Sequence, residues 1–453
     1  MNTHRLMISA LGSGSGKTLF TCGLLQVLQN RKLVTASFKC GPDYIDPMFH
    51  RKVTGSLSRN LDSFFLGETE LCSLLAAHGE DTDISVLEGV MGFYDGLNGT
   101  QTRASAYDVA KMTKTPVVLL VNANGMSVSV VPLIQGFLQY TKDHTIKGVI
   151  LNRISPMIYP RMKEMIESEL KIKVFGYLPY IPQCQLESRH LGLLLPDEIE
   201  NLKDKVHELA GIMEQSVDIE GLLEMAAETE ILKVQRSAEV KKRNLRIGVA
   251  RDEAFCFFYE ENFALLERLG VELIWFSPIH DRTLPENLDG ILLYGGYPEL
   301  FLEKLCSNQS MKHSIAESLM QGMPCMAECG GFMYLQESIE DEAGKRYPMC
   351  GVLLGNIVNK GRLTRFGYIT IHDATAFGER IPEIRAHEFH YYDSDHPGDD
   401  WLAVKPVSGK SWNCMHAADT ILAGFLHLYY PAYPQLAEAF LNKCGEYHRQ
   451  KQR

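Results

Sequence analysis

Short, wholly apolar segments separated by longer helical patterns constrain this chain most: RLMISAL, LVTASFK, ISVLEGV, PVVLLVNA and KGVILNRI. Strands without polar alternation have no face for water. They belong in a parallel sheet covered by helices on both sides, which predicts a doubly wound α/β block. Between about Asp197 and Arg243 the pattern becomes charged and amphipathic, and it reads as a helical segment and linker. LRIGVARDEAF then opens a second block with VELIWFSP, DGILLYGGYPEL, GMPCMAECGGFMYL and TILAGFLHLYYPAYP. At 453 residues the chain exceeds what one core usually serves. The expected domains are 1–196 and 244–453, joined by 197–243, with no internal repeat.

A formal net charge of −11 argues against general nucleic-acid binding, whose affinity comes largely from clustered Lys and Arg. The 11 cysteines are odd in number and lack any C-x-x-C spacing, so reduced thiols fit better than a disulfide framework or a zinc site. The N-terminus runs straight into a strand-like segment, without the regions of a secretory signal. No apolar stretch approaches the roughly 20 residues of a membrane span. These features predict a soluble, cytoplasmic protein.

RLMISAL reads as a strand, GSGSGKT as a glycine-rich turn and LFTCGLLQVLQN as a helix that starts at Lys17 and runs to about Lys32. In that context the turn's N–H groups and the helix N-terminus point partial positive charge at phosphate oxygens. Lys17 is placed to reach the outer phosphates and Thr18 to ligate Mg²⁺. The usual first glycine of the pattern is Leu11, which marks a variant loop. Glu88, directly after an apolar strand and before a glycine, is the expected carboxylate for the metal. Asp43 and Asp46, in the turn FKCGPDYIDPMFH, are turn formers that also suit Mg²⁺ or substrate.

In the second block, MPCMAECGGFMYL reads as strand, sharp turn and helix start, with Cys329 at the corner. A helix N-terminus is expected to lower the thiol's pKa and make it nucleophilic. Glycines after it allow substrate to approach backbone N–H groups able to stabilise an oxyanion, and Gly295 and Gly296 offer a second such source. Cys325 reads as core. His427, ending the last apolar strand, is the expected base. In AHEFHYYD, His387 and His390 are three apart, so the zinc-protease spacing is not met and both read as structural or interface residues.

Taken in order, the phosphate loop, KCGPDYIDP, LEGVMGFYDG and ESRHLGL, then LLYGGYPEL, AECGGFMYL, HEFHYY and GFLHLYY, resemble the cobyrinic acid a,c-diamide synthases over nearly the whole chain. The resemblance implies two doubly wound parallel-sheet domains. The first is a dethiobiotin-synthetase-like P-loop NTPase, whose loop is itself a variant, and the second is a class I glutamine-amidotransferase-like domain. It implies MgATP held by Gly14, Ser15, Gly16, Lys17, Thr18 and Glu88, with Asn152 near adenine and Asp43 as a further metal ligand. Asp43, Tyr44 and Asp46 would form the substrate segment, and Arg189 and His190 would meet the anionic groups of a tetrapyrrole-derived polycarboxylate macrocycle. Cys329 would attack glutamine with His427 moving the proton, and Gly295, Gly296 and Gly330 would line the oxyanion site. By the same resemblance, ATP would activate a peripheral carboxylate as an acyl phosphate, and ammonia would displace the phosphate.

One departure concerns the triad. Many amidotransferases of this class carry an acid two residues beyond the histidine, whereas Tyr429 stands here; either a dyad suffices or another acid serves. Similar synthetases that amidate nickel sirohydrochlorin or hydrogenobyrinic acid share these motifs. An ATPase switch and a regulatory protein with a vestigial glutaminase are further alternatives, and homodimerisation stays open.

Overall fold

The computed structural model describes residues 3–184, 192–234 and 242–452 and, within the intervening stretch, 188–189, with residues 188–189 and 192–193 by their backbone alone. The chain divides into two compact units, Met1–Ser237 and Ala238–Arg453.

The first unit holds a seven-stranded, wholly parallel sheet: β1 (Arg5–Ala10), β2 (Thr35–Cys40), β3 (Arg59–Leu61), β4 (Ile84–Glu88), β5 (Val117–Asn122), β6 (Ile146–Asn152) and β7 (Lys173–Leu178). Their order is β3-β2-β4-β1-β5-β6-β7, with β1 between β4 and β5. The carboxyl ends of β1 and β4 therefore lie side by side, where a doubly wound sheet presents ligands. Helices α1 (Lys17–Asn30) and α2 (Ile45–Thr54) follow β1 and β2. A short backbone hairpin of β8 (Ser188–Arg189) and β9 (Gly192–Leu193) lies beyond the sheet.

The charged stretch after Asp197 does more than link. Helices Leu202–Ser216 and Ile219–Ala227 set Leu209, Ala210, Met213, Leu222 and Ala226 into the same core as Phe20, Leu24 and Leu25 of α1. A Cβ on Gly23 of α1 would lie 2.5 Å from Met213 Sδ, so the glycine permits this close approach. Apolar residues at three- and four-residue spacing supply a buried face within an acidic composition.

In the second unit a six-stranded sheet contains β10 (Leu245–Ala250), β11 (Val271–Phe276), β12 (Gly290–Leu293) and β13 (Cys325–Glu328) in the order β11-β10-β12-β13. Ile421–Gly424 continues it in parallel and His416–Ala417 closes it antiparallel. A further five-stranded antiparallel sheet is built on the long hairpin of Arg365–Ala376 and Glu379–His390, and His427–Leu428 pairs along its edge. This sheet, together with a four-stranded mixed sheet of Arg346–Pro348, Ser338–Glu340, Asn356–Asn359 and Tyr392–Ser394, departs from the doubly wound expectation. Its strands alternate buried and exposed residues, the half-solvated pattern of antiparallel pairs.

Helix Gly330–Leu335 starts immediately beside β12: a Cβ on Gly331 would lie 2.1 Å from Leu293 O. Gly331→Ala is therefore expected to destabilise the second unit by about 1–3 kcal/mol, the usual range for overpacking. Denaturant unfolding reads this as a lower midpoint. Gly136→Ala, in helix Val130–Tyr140 with open space around the position, is expected to leave stability unchanged or raise it slightly. A wild-type midpoint for Gly331→Ala would contradict the packing argument.

Candidate functional site

The first centre forms where β1 turns into α1. Gly14 and Gly16 adopt φ of +71° and +89°, the left-handed region that favours glycine, and Gly16 caps the helix. Asn152, at the end of β6, donates from Nδ2 to Ser15 O at 2.9 Å, and its Oδ1 accepts the N–H of Arg153. The Nδ2 bond ties the end of β6 to the phosphate loop, while Oδ1 is bonded to the backbone beside it. Ser15 Oγ donates to Gly12 O at 2.8 Å. The buried Lys17 ammonium donates to Gly12 O at 3.2 Å and Met91 O at 2.5 Å. Burial, and then the charge of Lys39, lowers its pKa to about 8.

Next to the loop lies a buried polar network. Glu88 is completely buried, and its Oε1 accepts from Thr18 Oγ1 at 2.8 Å and from Lys39 Nζ at 2.9 Å. Its Oε2 pairs with His50 Nε2 at 2.7 Å, and His50 Nδ1 meets Ser58 Oγ at 3.1 Å. Lys39 also pairs with Asp46. Register explains the meeting: Lys39 of β2 sits directly opposite Glu88 of β4. Burial opposes the Lys39 charge, but Asp46, Glu88 and Asp43 outweigh it and raise its pKa. Burial likewise opposes ionisation of Glu88, yet Lys39 and His50 hold it well below the usual carboxylate range. Burial, and then Asp43, push Asp46 up.

Lys39 and His50 were not singled out from sequence, although both stand in the quoted turn and its approach. The available signal was a lysine inside an otherwise apolar strand, since a buried lysine requires an anionic partner. Asp43 Oδ1 accepts the N–H groups of Ile45 and Asp46, so this carboxylate caps α2. Tyr44 directly precedes that helix. The side chain of Arg189, and His190 entirely, lie outside the described residues. Among the described residues no group of three or more His, Cys, Asp and Glu converges as a metal cage.

The second centre is the turn from β13 to helix Gly330–Leu335. Cys329 occupies it with φ +48° and ψ −107°, a strained conformation for a residue with a Cβ. Its N–H bonds Gly424 O at 2.8 Å, and Met333 N–H bonds its carbonyl at 2.9 Å. A Cβ on Gly330 would come within 3.1 Å of Gly296 N, so the two proposed oxyanion segments lie against each other. Gly295 adjoins His427: a Cβ there would meet His427 Cε1 at 2.6 Å. Gly296 has φ +156°, and a Cβ would fall 2.0 Å from Ala254 O.

The expected lowering of the Cys329 pKa is overturned. The thiol is buried, and burial, with Glu299 next, pushes it well above its ordinary value. A helix of six residues offers too little dipole to offset that desolvation. His427 is also buried, and burial, with His390 next, brings it down to about 3, so the imidazole is neutral at working pH. His387 sits opposite His427 in register, while the His390 ring stacks on Phe425 at 3.9 Å. The HEFH segment therefore packs around the histidine strand.

Residues 6–194 match the family described as CobQ/CobB/MinD/ParA nucleotide binding domain, and residues 246–433 match the CobB/CobQ-like glutamine amidotransferase domain. The chain is 41% identical to the cobyrinate a,c-diamide synthase of Caldanaerobacter subterraneus subsp. tengcongensis, covering 98% of this chain and 99% of that one. It is 38% identical to the protein of that name from Listeria innocua, over 96% and 98% of the two chains. The Clostridium acetobutylicum protein of that name is also 38% identical, over 94% and 97%.

The depressed His427 value makes a pH prediction. An unfolded histidine binds its proton near pH 6.5, whereas His427 in the folded unit stays neutral down to about 3. Between those values the unfolded state holds more protons, so stability falls as pH is lowered through that window. Replacing His427 by Gln is expected to shrink the loss of stability between pH 6.5 and 5, read as denaturant midpoints. Equal losses in wild type and variant would contradict the assignment.

Proposed function

The chain belongs to the cobyrinate a,c-diamide synthase family, and from that premise we propose that it amidates the a and c carboxylates of cobyrinic acid, using ATP and glutamine, with the following division of labour. In the second unit Cys329 attacks the side-chain amide carbon of glutamine. His427, neutral at the start, takes the thiol proton and delivers it to the departing ammonia. Backbone N–H groups around Gly295, Gly296 and Gly330 receive the oxyanion. Water then hydrolyses the glutamyl thioester and releases glutamate.

A buried thiol with a raised pKa suits this order of events. It stays protonated and inert until glutamine brings its carbonyl to the elbow, and proton transfer then accompanies attack. In the first unit the loop of Gly14, Ser15, Gly16 and Lys17 holds ATP phosphates, with Asn152 keeping the loop in place. The ATP γ-phosphoryl passes to a macrocycle carboxylate, forming an acyl phosphate and ADP. Ammonia attacks the acyl carbon and phosphate leaves. Asp43, Tyr44 and Asp46 face the substrate in this reading, and Arg189 and His190 meet its other carboxylates.

The donors suit Mg²⁺. Thr18 Oγ1 and the ionised Glu88 carboxylate are hard oxygen ligands 2.8 Å apart, with Asp43 as a further carboxylate. Bound there, Mg²⁺ would neutralise phosphate charge during transfer. Lys39 and His50 hold Glu88 ionised and oriented.

The observation that carries the reading is the strained Cys329 elbow, beside Gly296 and with His427 at the adjoining glycine. Cys329→Ala is expected to lose glutamine-supported diamide formation by at least about 10³-fold while retaining the ammonium-supported reaction. Lys17→Ala is expected to lose both. Steady-state product analysis with cobyrinic acid decides. Full glutamine-supported activity in Cys329→Ala would overturn the assignment.

A further inference from the structure

Tyr429 stands where an acid would orient the imidazole, yet the strand around it is firmly held. Glu328, the last residue of β13 and the covalent neighbour of Cys329, is almost completely buried. Its Oε2 accepts the N–H of Leu428 at 3.2 Å, and its Oε1 accepts the Tyr430 hydroxyl at 3.0 Å. From helix Glu260–Arg268, Asn262 engages the same two residues: Nδ2 donates to Leu428 O at 2.9 Å, and Oδ1 accepts the Tyr430 N–H at 2.8 Å. The backbone immediately after His427 is thus bracketed by two buried side chains, one of them on the residue that precedes Cys329 in the chain.

We propose that Glu328 is the positioning residue of the glutaminase centre: its carboxyl bolts the strand carrying His427 to the elbow carrying Cys329 and sets their mutual geometry through the backbone. The inference rests on the reading of Cys329 and His427 as the glutaminase pair. A carboxylate bonded to the imidazole would orient the ring and stabilise its charge; Glu328 orients the residue that bears it. Burial pushes this carboxyl up to about 8, so at neutral pH it is mostly protonated. It still offers acceptor lone pairs to both donors, and it adds little negative charge beside the thiol. The clamp is therefore compatible with a neutral His427. Removing either bracket frees strand His427–Leu428 to shift, and misplacement by about 1 Å can cost about 10²-fold in rate.

The test uses the full chain with glutamine, and separately with ammonium, in wild type, Glu328→Ala, Glu328→Gln, Asn262→Ala and Cys329→Ala. Glu328→Ala is expected to lower glutamine-supported kcat by about 10–100-fold, with KM for glutamine changed less than about twofold and ammonium-supported amidation at the wild-type rate. Glu328→Gln, which keeps an acceptor oxygen, is expected to recover to within about fivefold of wild type, and Asn262→Ala to reproduce the kcat loss. Wild-type kcat in Glu328→Ala, a parallel fall of the ammonium reaction, or no recovery in Glu328→Gln would overturn the clamp. Retained glutamine use in Cys329→Ala would instead overturn the glutaminase reading beneath it.

Discussion

The first unit turns on one buried ion pair. Glu88 ends a central strand with no access to water, and an isolated carboxylate there would take up a proton rather than remain charged. Lys39, opposite it in register, removes that option, and His50 takes the second oxygen. The carboxylate is therefore both ionised and fixed, 2.8 Å from Thr18 on the first turn of α1. Losing one partner of such a cluster strands the others, at a typical cost of about 3–5 kcal/mol. The same residues thus couple the stability of the carboxyl ends of β2 and β4 to the geometry of the phosphate loop.

The second unit reaches its strained elbow by steric means. Close approach of backbones at Gly296, Gly330 and Gly331 leaves no space for side chains and forces the elbow at Cys329. The strain at Cys329 persists because hydrogen bonds to Gly424 and from Met333 determine the turn from both sides. Burial then sets the protonation states: thiol protonated, imidazole neutral. The chemistry also explains why both centres share one chain, since a carboxylate needs activation by ATP and free ammonia is scarce at neutral pH.

Much of this was legible in the sequence for a physical reason. Wholly apolar strands, a glycine turn before Lys17 and the Cys329-Gly330-Gly331 corner are local patterns, and local patterns reveal local structure. What depended on strand register was hidden. Lys39 and Glu88 are far apart in sequence and meet only when β2 pairs with β4, and Glu328, at the end of β13, meets Leu428 and Tyr430 a hundred residues further along the chain. The direction of the Cys329 pKa shift is hidden in the sequence, because a helix start is visible there whereas depth of burial is not. The stretch after Asp197 reads as helical from its sequence, but the packing of those helices into the first unit's core is hidden because their charge masks a narrow apolar face.

In the proposed reaction each amide nitrogen comes from glutamine, and each amide formed consumes one phosphoryl transfer to a carboxylate. The most direct measurement follows product mass and phosphate release together, using amide-¹⁵N glutamine and a macrocycle whose carboxylates carry ¹⁸O. One ¹⁵N gained, and one ¹⁸O delivered to phosphate, is expected for every amide formed. Phosphate released without ¹⁸O, or ATP turnover without ¹⁵N in the product, would contradict it.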